Sequence, residues 1–173
     1  MRWLVFLNLL FVVTMQLAHA DDWITVHVDE GRFTASFPSD PVSESLEIDT
    51  VFGRVTLTVN AVNAGKTAFF AGYYDIPENV GLSEAELLDA ERDRGLKGAS
   101  ASLLRDEPFS TAGYSGRLIV AERAQLRVRA RNFIIGQRLY SVMVVSQIRT
   151  DSETTANKFF ESFSVWLPEE GSK

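Results

Sequence analysis

Apolar and polar positions alternate with the period of a half-buried strand along most of the chain from residue 23 onwards. Residues 23–28 place Trp23, Thr25 and His27 on one side and Ile24, Val26 and Val28 on the other. Residues 33–37 put Phe33, Ala35 and Phe37 on one face, and Pro38 ends the run because proline has no N–H for a ladder. Residues 46–52 and 54–62 flank Gly53 and predict a hairpin. Residues 67–76 are apolar on both faces, Phe69, Ala71 and Tyr73 against Phe70, Gly72 and Tyr74. That pattern predicts a central strand in a sheet covered on both sides.

The period changes at Ser83-Glu84-Ala85-Glu86, a capping box in which Ser83 caps the amide three residues on and Glu86 reaches back. A helix is predicted from there to about Leu96, stopped by Gly95 or Gly98, with Leu82, Ala85, Leu88 and Leu96 as a thin apolar stripe. Strand signals then resume: a short one at 102–105, stronger ones at 115–121, 125–135 and 138–145. Gly136-Gln137 has the form of a two-residue type II′ turn, pairing Ile135 with Arg138 and Phe133 with Tyr140. A second helix over 152–162 turns Ala156, Phe159 and Phe160 inward. A short strand follows at 163–167, and 168–173 read as a solvated tail. The order strands, helix, strands, helix, with several hairpins, predicts an α+β fold: a mainly antiparallel central sheet with helices on its faces, an α/β/α sandwich whose middle strands are 67–76 and 138–145.

The first twenty residues stand apart. A basic Met1-Arg2, an apolar run from Trp3 to Val13 and a closing Ala18-His19-Ala20 have the form of a cleavable secretory signal. The run is too short to span a bilayer, and no second apolar span follows, so no stable membrane anchor is expected after cleavage. What remains, residues 21–173, is about 153 residues, enough for a single domain. Cysteine is absent, which excludes both a disulfide framework and a lipid-anchoring cysteine. Loss of Arg2 takes the net charge from −6 to −7, which argues against nonspecific binding to nucleic acid or anionic lipid. The absence of an Asn-x-Ser/Thr sequon fits a bacterial, periplasmic or secreted protein.

Two short stretches resemble a known group. Phe33-Thr-Ala-Ser-Phe-Pro-Ser-Asp-Pro41 is similar to an F-x-x-x-F-P-x-x-P opening, and Lys158-Phe-Phe-Glu-Ser-Phe163 to a closing F-F-x-S-F, with Arg138-Leu-Tyr140 opening an apolar strand between them. Together they resemble the PsbP-like superfamily, which includes exported bacterial members of unknown function. The resemblance implies an antiparallel sheet with helices on both faces and an accessory or binding role. It carries over no catalytic residue, since the shared positions are core aromatics and turn prolines.

Candidate chemistry is sparse. Gly113-Tyr-Ser-Gly116 approaches a nucleophile elbow, but its second glycine comes one residue early and a strand follows instead of a helix. A small serine hydrolase using Ser115 and His27 is therefore the alternative to a non-enzymatic binding or accessory protein of the cell envelope. His27 is the one histidine left after cleavage, and without cysteine it builds no ordinary zinc site. Asp89, Glu91, Asp93 and Gly95 miss the spacing of a calcium loop and are expected as solvated helix charges relieved by Arg92 and Arg94. Neither a P-loop nor a GxGxxG is present, so no cofactor is expected. The most unusual polar feature is Arg127, Arg129 and Arg131, which strand periodicity puts on one face beside Ser146, Val144 and Val142. Either neighbouring carboxylates answer the stripe, or it binds an anionic ligand or an envelope protein.

Overall fold

The computed structural model describes residues 23–166, so the expected leader and tail, and the end of the strand expected over 163–167, lie outside the described residues. The strands are β1 (Ile24–Val28), β2 (Phe33–Phe37), β3 (Val42–Thr50), β4 (Gly53–Ala64), β5 (Thr67–Asp75), β6 (Ser102–Thr111), β7 (Tyr114–Arg123), β8 (Leu126–Ile135), β9 (Arg138–Gln147) and β10 (Ser164–Val165). Helix α1 (Glu84–Ala99) joins β5 to β6, and α2 (Glu153–Ser162) precedes β10. Seven strands form one sheet in the order β3-β4-β5-β9-β8-β7-β6, and β1-β2-β10 form a second. Every paired neighbour is antiparallel.

The predicted middle strands are indeed inside the sheet: β9 is its fourth strand and β5 lies against it. The β8–β9 hairpin has the expected register, Ile135 opposite Arg138 and Phe133 opposite Tyr140. Gly136 has φ 60° and Gln137 does not share it, as a type II′ turn requires. The α1 capping box is complete: Ser83 Oγ accepts from the Glu86 N–H, and the Glu86 carboxylate accepts from the Ser83 N–H.

Three expectations need correction. The β6 strand runs through Pro108 to Thr111 instead of stopping at Arg105. It is an edge strand, where a proline costs no ladder bond, and its pairing slips between Leu103 and Arg105. Helix α1 passes both glycines and ends at Ser100, which takes the left-handed conformation with φ 49°. The layer against the second face is not helical alone. Strands β1, β2 and β10 pair with one another, and their aromatic side joins α2 in covering the large sheet.

That second face holds the main core. Phe33, Phe37, Phe69, Phe133, Tyr140 and Phe159 interlock there, with Phe33 stacked on Phe163 at 4.9 Å between ring centres and Phe133 stacked on Tyr140 at 5.5 Å. Tyr140 is fully enclosed, and its hydroxyl donates to the Gly31 carbonyl at 3.0 Å. On the opposite face only the first turns of α1 pack closely. Leu87 and Leu88 meet Tyr74, Ile76, Ile134 and Leu139 in a smaller cluster.

Candidate functional site

Beyond that cluster, α1 stands away from the sheet. The inner side of its later turns carries Gly95 and Ala99, and the sheet beneath presents Ala61, Gly72, Ser141, Ala130 and Ala121. Small residues on both walls leave a groove of about 520 Å³, within the range of small-molecule sites. A Cβ built on Gly95 would touch nothing within 4 Å, whereas one built on Gly72 would meet the Thr58 carbonyl at 2.9 Å. The helix wall is therefore open, and the floor is tightly built. Phe70, Met143, Val145 and Val128 line the groove and are only half-buried. Strands β5 and β9 were expected to be covered on both sides; on the α1 side the cover is incomplete.

Polar groups sit at defined points. Glu91 is buried at the wall, and its carboxylate accepts from the Tyr74 hydroxyl at 3.1 Å and from Arg94 Nε at 2.8 Å and Nη2 at 2.5 Å. Burial, with the Glu91 carboxylate facing it, pushes the Tyr74 hydroxyl above its ordinary pKa, so it stays a neutral donor. In the floor, Asn132 is buried beside Ser141, and its Oδ1 has no protein partner. An ion cluster ties α1 to β6 and β7. Arg92 bonds Asp89 at 3.0 Å, Asp93 at 2.9 Å and Asp106 of β6 at 2.6 Å, while Arg117 of β7 bonds Asp89 and Asp106. Of the helix acids expected in solvent, Glu91 is thus a buried wall group instead.

The arginine stripe lies on the other face, towards α2. Arg127 is paired with Glu122 and with Asp151 at 3.3 Å, and Arg129 bonds the same Asp151 at 2.6 Å. Asp151 also accepts from Ser146 at 2.8 Å. Burial raises its pKa, but the bonds from Arg129 and Ser146 outweigh burial and hold the carboxyl below its usual range. Arg131 lies over the rings of Phe160 and Phe109, at 4.7 and 5.5 Å from their centres, and its buried Nε has no partner. Desolvation lowers its pKa.

Ser115 and His27 sit on different sheets. Ser115 pairs with Ser110 next to the β6–β7 turn, and exposed His27 is on β1 with its ring 6.2 Å from that of Trp166. The turn is built by Ala112 and Gly113, both with positive φ. A Cβ on Gly116 would come within 2.4 Å of the Phe109 ring and 2.6 Å of the Asn132 carbonyl. Close packing across two strands requires that glycine, independently of any nucleophile. Among the described residues, no cluster of acidic, His or Cys groups is arranged for a metal ion, and no helix is long and apolar enough to cross a membrane.

No family model and no curated protein matches the chain. Among solved structures, cyanobacterial PsbP (CyanoP) from Synechocystis sp. PCC 6803 superposes with a TM-score of 0.60 at 8% identity. The match covers 87% of this chain and 96% of that one. The fold is PsbP-like. A looser likeness, TM-score 0.38 at 9% identity over 73% of this chain and 84% of the other, is to PA94 from Pseudomonas aeruginosa, described as a protein of unknown function and putative regulator.

The groove is set by small side chains of α1 and of the sheet beneath it. Its sequence signals are the thin stripe of α1 and the two glycines in its second half, set against a sheet strand that is apolar on both faces. A helix with so little apolar volume cannot cover such a strand.

Proposed function

We propose that this protein is an exported, non-enzymatic binding protein of the cell envelope whose groove between α1 and the large sheet takes up an apolar small molecule. The observation that carries the reading is the half-buried state of Phe70, Met143, Val145 and Val128 on inner strands of the sheet. Apolar side chains left uncovered around a concave site favour an apolar ligand, whose binding removes their surface from water. The few polar groups, Glu91 with Tyr74 and Asn132 with Ser141, supply orientation more than affinity. Export is supported by the form of the first twenty residues.

A neutral dye that brightens in apolar surroundings, 1-N-phenylnaphthylamine, tests the groove. Saturable one-to-one binding is expected for the protein from residue 21. Ala130 projects from the floor between Met143 and Ile119, so Ala130→Phe should fill the space and weaken dye binding at least about tenfold without loss of stability. Ala121→Leu provides an independent filling variant. Wild-type protein that does not bind the dye, or filled variants that bind it equally, would refute the reading.

A further inference from the structure

We infer that the ligand is a single-chain amphiphile with an anionic head, its tail along the groove and its head at Arg123. This rests on the groove being a binding site. Three arginines line it, and two are engaged: Arg92 by Asp89, Asp93 and Asp106, and Arg94 by Glu91. Arg123, at the β7 end beside the β7–β8 turn, is exposed and makes no ion pair among the described residues. The acids lie elsewhere: Glu44 lines the groove from edge strand β3, and Glu91 sits on the α1 wall beside Tyr74. An anion is therefore attracted to the Arg123 end and repelled from the other, which gives the ligand a direction.

The length of the floor suits one chain. Along β9 the floor runs from Leu139 through Ser141 and Met143 to Val145, a length of about 20 Å. The volume of about 520 Å³ is within the range of sites that hold one small molecule. At the cationic end the rim is itself apolar: Leu126, 38% exposed, faces out beside Arg123, and Leu103, 42% exposed, pairs with Ala121. A cation set among uncovered leucines matches the junction between a charged head and its hydrocarbon chain. The shared chemistry is a terminal anion on one acyl chain, a carboxylate in a free fatty acid and a phosphate in a lysophospholipid.

Displacement of 1-N-phenylnaphthylamine by three competitors of equal chain length tests this: the fatty acid, the lysophosphatidic acid and the fatty alcohol. At least one anion is expected to displace the dye at roughly tenfold lower concentration than the alcohol, and the tighter anion identifies the head. Affinity should rise roughly fourfold per added methylene until the groove is full. In Arg123→Gln the gap between anion and alcohol should collapse, with dye titration showing that the groove is intact. If the dye never binds, the groove itself is refuted. If the dye binds but the alcohol competes as well as both anions, or Arg123→Gln keeps the gap, the anionic head is refuted and the groove stands.

Discussion

Replacing Glu91 by leucine tests how the groove wall is held. The Glu91 side chain is 7% exposed and accepts three hydrogen bonds, one from Tyr74 and two from Arg94. Truncating one partner of a buried ion pair costs about 3–5 kcal/mol, because the other charge is left without compensation. Arg94 is 33% exposed and can turn its guanidinium to solvent, so the lower part of that range is discounted further. Tyr74 cannot escape in this way; its residue is 3% exposed, and an unsatisfied hydroxyl costs about 1–3 kcal/mol. The expected loss for Glu91→Leu is about 2–3 kcal/mol, read by urea unfolding as a lower midpoint at unchanged slope. For a chain of this size the thermal midpoint should fall by roughly 5–10 °C. The double variant Glu91→Leu, Tyr74→Phe should recover most of the loss, since no buried hydroxyl is then left unpaired. A single variant that loses under about 1 kcal/mol, or a double variant no better than the single, would refute the role assigned to this pair.

Two other outcomes follow from the structure and sequence. Asp151 has a lowered pKa in the folded protein, so its contribution is fully present above the ordinary aspartate value of about 4 and is lost as pH falls through the lower folded value. Asp151→Asn should therefore cost about 2–3 kcal/mol at neutral pH, and chemical denaturation in an acid series should show the difference from wild type shrinking below about pH 4. Cleavage of the leader should leave Asp21 as the first residue of the exported protein; N-terminal sequencing of the envelope fraction checks this, and an intact Met1 would contradict it.

Elements with strong local signals were legible in the sequence. The Ser83 capping box, the Gly136 turn and the register that pairs Phe133 with Tyr140 depend on neighbouring residues and appear as expected. The full length of β6 was not legible, because Pro108 reads locally as a breaker and only its place at the sheet edge makes it harmless. The pairing of β1 and β2 outside the large sheet is likewise a tertiary choice. Among candidate site residues, the sequence places Arg127, Arg129 and Arg131 on one face, but Asp151 is far along the chain and is brought to two of them by the turn before α2. The groove carries no motif at all. It arises from residues that are too small, and the thin stripe and glycines of α1 become a groove only when the helix is set against the sheet.

The two faces of the large sheet differ in a way that stability alone does not explain. On the α2 side, Phe159 reaches Phe37 and Phe69, each at 5.2 Å between ring centres, and the core is closed. On the α1 side the same strands expose Phe70 and Met143 beneath Gly95 and Ala99. Glycine inside a helix costs about 1 kcal/mol relative to alanine, and uncovered apolar surface forfeits more. Larger residues on either wall would recover both costs, and cavity filling commonly contributes about 1 kcal/mol. The unfilled groove is therefore a departure from the close packing on the α2 side of the same sheet, and such departures concentrate where a protein binds something. This makes the sign of the filling variants the informative quantity. Ala130→Phe should unfold later than wild type while binding the dye more weakly, whereas a groove that is only a packing defect would give the stability gain with no binding to lose.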